Sequence, residues 1–426
     1  MKTLLLFVTI FFVFGWKITP LIDIIFLMSI VLVCAVFLML RAPIDKHSLL
    51  VSQLLFALSV YALLITVLNG AVDTYVALRS IRAAINFLGG TALAWGYWRL
   101  YRQDALRVVC LHLFVVLTLH ALLIVAMYIN EYFRQWVYEV TSAHANVNLN
   151  MPFLLGYRIT GLTYGLAQTS VVQMFGVLLV PVVWRHYCFS IAHALFISAG
   201  MFVLITSIFL TGRSGLFLLV ILLPIVLILG SRRMNLKRRG NLVRMISLIV
   251  VGGLFMTLLI NVADYENVRY TLTQAEEVIR VFSDEEGTVT TNALSRMYFI
   301  PGDAVEFIFG SSNMGRGGDY ITSDVGYVLL MHAIGIFGVS IMLLPFAYGV
   351  YVVWKSRQRD NMIAAAILCI FIASVLLNFK EVALMTRNQW SVQSLLLCAW
   401  FVHLVKCPNN RFKFSNGLTT RSSTEI

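Results

Sequence analysis

The chain has 426 residues, of which 60% are hydrophobic and 12% are charged, and its net charge is +12. A soluble domain averages about 45–50% apolar and about 25% charged residues, and a globule of this size cannot hide such an excess beneath a polar surface. The composition therefore excludes a cytosolic enzyme, a disordered protein and a secreted disulfide scaffold, and it predicts a polytopic helical membrane protein.

Apolar stretches that can cross a bilayer recur along the whole chain. A spanning helix needs about 20 mainly apolar residues, and twelve stretches approach or exceed this length. The first lacks the small-residue cleavage site of a signal peptide, so we keep it as a helix. The predicted spans cover 3–16, 19–40, 48–69, 75–100, 105–128, 165–184, 188–211, 214–230, 242–261, 324–354, 361–378 and 391–405.

Lysines and arginines in the short loops orient this predicted bundle, because cytoplasmic loops carry an excess of both residues. With twelve spans, every basic short loop falls on one face, which we assign to the cytoplasm together with both termini. The basic excess is then topological and does not indicate nucleic acid as a partner. The basic segments are Arg41–His47, Tyr101–Arg107, Trp184–His186, Ser231–Arg244, Lys355–Asp360 and the tail after Lys406.

The longest connections lie on the opposite, outer face. Long loops in a compact protein are often functional, so the large loop is a candidate location for a functional site. The predicted segments are transmembrane helices 1–5 at 1–128, a periplasmic loop at 129–164, transmembrane helices 6–9 at 165–261, a large periplasmic loop at 262–323, transmembrane helices 10–12 at 324–405 and a cytoplasmic tail at 406–426.

No sequence pattern indicates a metal ion or a cofactor. The six cysteines form no CxxC pair, the histidines form no H-E-x-x-H pattern, and neither a DxD-like acidic pair nor a P-loop occurs. We therefore predict a protein without disulfides, without metal and without nucleotide chemistry.

Ionisable side chains at membrane depth mark candidate sites, because each is costly unless it is paired or faces a wet cavity. Arg79 and Arg82 lie in the first turns of the fourth predicted span, and their i, i+3 spacing places them on one helix face. They either snorkel to the interface or form an anion site beneath the outer leaflet.

Further cations collect on the predicted outer face, where the insertion rule disfavours them. Arginine has a planar fork that matches phosphate oxygens bidentately, so the cluster indicates a phosphorylated ligand. Its members are Arg158 before the sixth span, Arg213 in the break Thr211–Gly215, Arg296 and Arg316 beside the glycine-rich run Gly310–Asp319, and Lys380 and Arg387 in the last outer loop with Glu381.

Asp324 stands where the large outer loop enters the tenth predicted span. A carboxylate at such a mouth is expected to be partly desolvated, which suits a general base. It can equally serve as the N-cap of the helix. His332 follows eight residues later, about 12 Å down the helix, and we interpret it as a packing histidine.

Four motifs follow one another between about residues 150 and 390. They are Tyr157–Tyr164 (YRITGLTY) before a span, Leu210–Phe217 (LTGRSGLF) opening a span, Ser295–Tyr298 (SRMY) with Phe309–Gly310, and Asp324–Gly338 (DVGYVLLMHAIGIFG) after the large loop. In this order they resemble the O-antigen ligase and O-antigen polymerase superfamily of bacterial inner membranes.

The resemblance implies a glycosyltransferase of the GT-C type that needs no metal and whose donor is a glycan on undecaprenyl pyrophosphate. It implies that Arg213 and Arg296 grip the pyrophosphate. Ligases of the superfamily place a catalytic His followed by Asn where this chain has Asp324 and Val325, which favours the polymerase branch.

We therefore expect an inner-membrane enzyme that polymerises lipid-linked repeat units of O-antigen, capsule or exopolysaccharide by inverting transfer at the periplasmic face. Asp324 is the expected proton acceptor, and Tyr327 is a candidate stacking face for the glycan. The expected partners are lipid-linked oligosaccharides, membrane lipids and a chain-length regulator. The expected cation set for the pyrophosphate and glycan is Arg213 and Arg296 with Arg79, Arg82, Arg158, Arg316, Lys380 and Arg387.

Other functions fit parts of the same pattern. An O-antigen ligase shares the motifs, and a flippase for lipid-linked oligosaccharides would suit twelve spans. The charges crowd one face, whereas a flippase needs a central path that opens to both sides. A peptidoglycan polymerase of the SEDS class shares the topology and the lipid carrier but fits the loop motifs less well.

Overall fold

The computed structural model of the protein describes residues 2–16, 23–71, 73–141, 159–163, 165–231, 295–314 and 321–407. Within these ranges the chain is helical and forms no β-strand, so the predicted all-α class is confirmed there. The α-helices are α1 (Lys2–Phe14), α2 (Ile24–Val33), α3 (Lys46–Leu68), α4 (Tyr75–Tyr101), α5 (Ala105–Ile129), α6 (Glu131–Thr141), α7 (Leu166–Tyr187), α8 (Ile191–Thr211), α9 (Arg213–Ser231), α10 (Ala304–Phe309), α11 (Gly326–Ser356), α12 (Asn361–Leu377) and α13 (Arg387–Lys406).

Long apolar helices indicate a membrane-embedded protein. Six helical runs in the described ranges can cross a membrane by length and composition, and three shorter apolar runs accompany them at Lys2–Phe14, Ile24–Met39 and Asn361–Leu377. The predicted ninth span, 242–261, lies outside these ranges. The six long runs are Lys46–Leu68, Tyr75–Ile129 (which contains both α4 and α5), Ala167–Tyr187, Ile191–Thr211, Arg213–Ser231 and Gly326–Ser356.

Helix α6 lies in the segment 129–164, which the sequence predicted only as a loop. The Asn130 side chain accepts from the N–H of Phe133 at 3.0 Å and so caps the new helix. Val137 and Tyr138 of α6 are buried against the C-terminal part of α5. Hydropathy alone overlooks α6 because it is short and only one of its faces is buried.

Helix α13 forms the centre of the bundle, and nearly all of its side chains are buried. Gln393 Nε2 donates to Ser374 Oγ in α12 at 2.8 Å, and Asn86 Nδ2 in α4 donates to Ser391 Oγ at 2.9 Å. Polar side chains inside a membrane bundle hold helices together when their bonds are made between neighbours. These bonds fix α13 between α4 and α12.

The helix ends collect at two opposite ends of the bundle. At one end Lys380, after α12, contacts Ser214 at the start of α9. At the other end Asp360, before α12, pairs with His186 at the end of α7. We call these the Lys380 end and the Asp360 end. The residues that the sequence predicts for the outer face lie at the Lys380 end wherever the structure describes their contacts.

Helix α11 is broken at Gly335, although the sequence predicted one continuous span over 324–354. Gly335 has φ 62° and ψ 177°, a left-handed backbone that glycine adopts without penalty. The carbonyl oxygens of residues 332–334 accept from the N–H groups of Ser311 and Ser312 at 2.7 and 2.9 Å and from the Tyr61 hydroxyl at 3.1 Å. A broken helix in a membrane protein is tolerated where such neighbours satisfy its backbone.

The start of the glycine-rich run is the segment that fills this break. Gly310 also has a positive φ, of 89°, and a Cβ atom on it would lie 2.6 Å from the carbonyl oxygen of Ala333. A Cβ atom on Gly335 would in turn lie 2.3 Å from the carbonyl oxygen of Ile308. Two glycines therefore meet backbone to backbone and dock α10 onto α11.

Candidate functional site

The turn between α8 and α9 presents Arg213 at the Lys380 end. Gly212 alone separates Thr211, the last residue of α8, from Arg213, the first residue of α9. The N–H of Gly215 donates to Ser170 Oγ in α7 at 3.0 Å, and a Cβ atom on Gly215 would lie 2.4 Å from the Ser170 carbonyl oxygen. Gly215 thus allows the start of α9 to pack closely against α7. This packing positions Arg213.

The loop between α12 and α13, residues 378–386, brings Lys380 to the same turn. Lys380 Nζ donates to Ser214 Oγ at 2.9 Å, which joins the last predicted outer loop to the α8–α9 motif. The buried Asn378 side chain shapes the loop by accepting from the N–H of Ala383 at 3.0 Å. Lys380 therefore extends from a loop with internal order.

The carboxyl group of Glu381 lies next to this cation in the loop. Glu381 follows Lys380, its Oε1 atom is buried, and the backbone N–H of Gln168 in α7 donates to its carboxyl group. Burial disfavours a charged carboxylate and raises the pKa of Glu381 to about 7, while Lys380 lowers this pKa and the nearby Asp324 raises it. The site thus contains an acid that is partly protonated at neutral pH.

The segment that carries Arg296 lies against the same loop. The Tyr298 hydroxyl donates to the carbonyl oxygen of Phe379, and Ser323 Oγ donates to the carbonyl oxygen of Met297 at 2.9 Å. The Arg296 side chain itself is exposed. These bonds place the third motif beside the two stretches that carry the carboxyl groups and the lysine.

The described part of the first motif docks next to the second. The N–H of Ile159 donates to the carbonyl oxygen of Leu210, the residue before the α8–α9 motif turn, at 3.2 Å. The N–H of Leu162 donates to Nε2 of the buried His120 in α5 at 2.9 Å. All four motifs therefore meet at the Lys380 end, although Arg158 itself lies outside the described residues.

Arg79 and Arg387 contact protein groups at the same end. Arg79 donates to the Tyr75 hydroxyl at 3.1 Å and to the carbonyl oxygen of Leu384. Arg387 Nη1 lies 3.8 Å from Asp23 Oδ2. Arg79 therefore braces the α12–α13 loop, so simple snorkelling does not describe it, and Arg387 ties the start of α13 to the start of α2.

The structure gives less information on the remaining predicted cations, Arg82 and Arg316. Arg82 is half-buried on α4, one turn after Arg79. Arg316 lies outside the described residues, as does the part of the glycine-rich run that contains it. The structure thus brings Arg213, Lys380 and the Arg296 segment together most directly.

The expected partial desolvation of Asp324 is wrong, since its side chain is exposed. Its expected role as an N-cap is also wrong, because Val325 occupies the N-cap position of α11 and no side chain caps the helix. Instead, the N–H of Tyr327 in the first turn donates to the carbonyl oxygen of Asn378 at 3.2 Å. The α12–α13 loop thus supplies an acceptor that a capping residue would otherwise supply.

Protein contacts occupy Tyr327, the predicted stacking residue. Its hydroxyl donates to the carbonyl oxygen of Val375 at 3.2 Å. Its ring packs edge-on against Phe379, with 4.7 Å between ring centroids. In this conformation Tyr327 supports the α12–α13 loop.

His332 has a polar partner, which the packing interpretation did not include. Its Nδ1 atom lies 2.9 Å from Glu306 Oε1 in α10, and Ser311 Oγ donates to the same oxygen at 2.9 Å. Phe299 packs edge-on against the imidazole at 5.6 Å. The histidine therefore links α11, α10 and the segment after Arg296, as well as filling space.

Sequence reasoning overlooked the residues that support the site from behind. Gln168 and Asn378 shape the α12–α13 loop, and His120 holds the first motif. Each is a polar residue inside or at the end of an apolar stretch, which is the signal that would have found them. Within the described residues, no group of three His, Cys, Asp or Glu side chains has an arrangement suited to a metal ion.

Comparison of the chain with models of known protein families, with curated proteins and with solved structures finds no match.

Proposed function

We propose that this protein is an inner-membrane glycosyltransferase of the GT-C type that polymerises oligosaccharide repeat units carried on undecaprenyl pyrophosphate. The reaction is an inverting transfer at the periplasmic face and uses no metal. The Lys380 end is the periplasmic face in this proposal. Arg213, Lys380 and Arg296 bind the pyrophosphate there.

The observation that carries the proposal is the bond between Lys380 Nζ and Ser214 Oγ. It unites two stretches that are 166 residues apart in sequence, each with a cation where the positive-inside rule disfavours cations. Cations held close together by a fold suit an anionic phosphate group better than isolated surface residues do. A lipid-linked pyrophosphate presents such a group at the membrane surface.

The chemistry follows from this arrangement. A sugar hydroxyl oxygen of the incoming repeat unit attacks the anomeric carbon of the growing chain. The bond from that carbon to the pyrophosphate oxygen breaks, and its electron pair leaves with the pyrophosphate. Arg213, Arg296 and Lys380 stabilise the negative charge that builds on the leaving group, which is commonly the largest contribution to catalysis.

Asp324 accepts the hydroxyl proton in this proposal. Its exposed side chain is open to a sugar that arrives from the aqueous phase, and it lies close enough to Glu381 to influence that group electrostatically. Positioned general-base catalysis contributes roughly 10²–10⁴-fold. The Asp324→Asn variant, which keeps the shape and removes the base, is therefore expected to extend chains at a rate lower by about that factor.

The test is chain extension by purified protein in proteoliposomes supplied with lipid-linked repeat units. The proposal predicts longer lipid-linked glycans with the wild type. Protection of the sugar from an external reagent without extension would contradict it and indicate a flippase. Transfer of glycan onto added lipid A–core without extension would contradict it and indicate a ligase.

A further inference from the structure

Glu381 is a half-buried acid at the Lys380 end, and the proposed transfer does not use it. Its Oε1 atom is buried and accepts no hydrogen bond from the described residues. The backbone N–H of Gln168 donates to the carboxyl group from α7. A buried carboxylate with an unsatisfied oxygen is costly, so the surroundings favour its neutral form.

The charges around Glu381 come from two sides. Lys380 precedes it in the α12–α13 loop, and Asp324 faces it from the segment before α11. Lys380 in turn donates to Ser214, next to Arg213. Lys380 and Arg213 thus supply two positive charges at this turn, and Glu381 and Asp324 supply two negative charges while both carboxyl groups are ionised. Arg296 adds a third positive charge from the segment that Tyr298 joins to the loop.

A pyrophosphate diester that enters this site brings further negative charge close to Glu381. Like charges at short range disfavour each other, most strongly where water is excluded. The balance can be restored without moving a side chain if one carboxyl group takes up a proton. Glu381 is the better acceptor because its Oε1 atom is buried and unsatisfied, whereas the Asp324 side chain is exposed.

We propose that binding of a pyrophosphate ester at Lys380 and Ser214 is coupled to uptake of a proton by Glu381, which stays neutral while the anion is bound. The proton comes from the solvent, and no covalent bond other than the new O–H bond forms or breaks. This inference rests on the proposed function, because that function places the pyrophosphate at this site. Glu381 acts through charge and need not touch the ligand.

The pH dependence has a defined sign. Burial raises the pKa of Glu381 to about 7 in the free protein, so the acid is already neutral below that pH and must be protonated on binding above it. Affinity is therefore highest at low pH and falls as the pH rises through 7. The fall approaches tenfold per pH unit at most, because one proton is involved.

The experiment measures binding of a synthetic probe, N-acetylglucosamine linked through a pyrophosphate diester to a farnesyl chain. The diester does not titrate near neutral pH, so the ligand contributes no proton. Calorimetry of the wild-type protein in nanodiscs at pH 7.5, in two buffers with different ionisation enthalpies, is expected to show uptake of about half to one proton per ligand. Between pH 7 and pH 9 the dissociation constant is expected to rise about fiftyfold.

Two variants separate this coupling from a structural role. Glu381→Gln keeps the shape and mimics the neutral acid, so it is expected to bind without proton uptake and with an affinity independent of pH. Asp324→Asn removes a neighbour that raises the pKa of Glu381. This variant should keep proton uptake but lose affinity at a lower pH than the wild type does.

The outcomes distinguish the inference from the function on which it rests. Wild-type binding with no proton uptake, or equal uptake by wild type and Glu381→Gln, overturns the coupling and leaves the proposed function intact. Absence of wild-type binding overturns both. Thermal unfolding of each variant in the same nanodiscs shows that altered binding does not come from unfolding.

Discussion

Individual residues at the Lys380 end divide into those that supply charge and those that hold the charge in place. Ser214 and Asn378 fix Lys380 by hydrogen bonds, directly and through the loop. The sequence identified Lys380, Arg213 and Arg296 because cations are conspicuous on a predicted outer face. It did not identify Asn378, because a neutral amide at the end of an apolar stretch is a weaker signal than a charge, although it does mark a polar contact.

Replacing Lys380 by methionine tests the charge at this position. The Lys380→Met variant keeps most of the side-chain volume but loses the ammonium group. We expect its rate of chain extension to fall on the order of 10²-fold, because one group that stabilises the leaving pyrophosphate is removed. The measurement is the initial rate of extension in proteoliposomes.

The matched control is Lys355→Met at the Asp360 end. Lys355 is exposed and donates only locally, to the Tyr351 hydroxyl at 3.2 Å, among its described contacts. Its loss should leave the rate within about twofold of wild type. Equal rates for Lys380→Met and wild type would show that Lys380 does not serve the reaction.

Asp360 anchors the opposite end of the bundle. It is buried, pairs with His186 at 3.1 Å and Arg185 at 3.6 Å, and caps α12 through the N–H of Met362 at 3.0 Å. Burial alone would raise the pKa of Asp360, but the bond with His186 and the charges of His186 and Arg185 hold it at about 2. The ionised form is therefore the native form.

Asp360→Asn is expected to lower the free energy of unfolding by about 3 kcal/mol, because it leaves the largely enclosed Arg185 side chain without its counter-charge. The pKa of Asp360 is depressed, so its stabilisation is present above the unfolded-state pKa and is lost as the pH falls toward 2. The variant should therefore lack the wild-type loss of stability between about pH 4 and pH 2 that comes from this group. Thermal or denaturant unfolding in detergent across this range measures both effects.

Asp104→Asn is the control for a surface ion pair. Asp104 pairs with Arg107 at 2.9 Å, but its side chain is 64% exposed. Exposed pairs contribute about 0–1 kcal/mol. A stability loss at Asp104 as large as that at Asp360 would contradict the importance given to burial.

Among the helices, the broken helix α11 joins the large predicted outer loop to the bundle. Hydropathy predicted one span there, because the hydrophobic pattern of a segment does not reveal that one residue in it has a positive φ. The break depends on contacts from Tyr61 and from Ser311 and Ser312, far away in sequence. Only the tertiary structure brings those donors to the freed carbonyl groups.

Gly335→Ala is expected to destabilise the protein by about 2 kcal/mol or more. The residue would keep φ 62°, which is strained for alanine, and its Cβ atom would collide with the Ile308 carbonyl oxygen at 2.3 Å. The same change should release α10, which increased proteolysis near residues 304–312 would report. Thermal unfolding gives the stability change.

Gly96→Ala in α4 is the matched substitution. A Cβ atom there meets Leu5 Cδ2 at 3.7 Å, an ordinary contact. Alanine also favours a helix over glycine by about 1 kcal/mol, so this variant should be as stable as wild type or more stable. If both glycine variants behaved alike, the break at Gly335 would have no special energetic role.

For the whole molecule, the two ends of the bundle differ in what they contain. The Lys380 end holds the four motifs, and the Asp360 end holds a neutralised ion cluster. The proposed function requires the Lys380 end to face the periplasm. Labelling of introduced cysteines tests this requirement without any assay of activity.

Gly302→Cys and Gln358→Cys report the two faces in a background with the six native cysteines replaced. Gly302 is exposed with open space around its Cα atom, and Gln358 is exposed in the loop between α11 and α12. In intact spheroplasts an impermeant maleimide should label position 302 and should reach position 358 only after lysis. The reverse pattern would invert the orientation and exclude a periplasmic reaction at the Lys380 end.

The sequence by itself determined that the protein is membrane-embedded, that the part of the chain described by the structure is helical, and approximately where the apolar helices of that part lie. Both follow from composition and local hydropathy, because a helix in lipid satisfies its own backbone and needs only apolar length. The sequence also pointed to the cations that deserve testing.

Only the tertiary structure decided which of those charges meet, that α11 is broken, that Asp324 is exposed and that the Oε1 atom of Glu381 is buried. These properties depend on contacts between residues far apart in the chain. The packing of the helices sets how deeply a side chain is buried and which charged groups lie near it. The identity of a residue and its position in the chain do not specify either property.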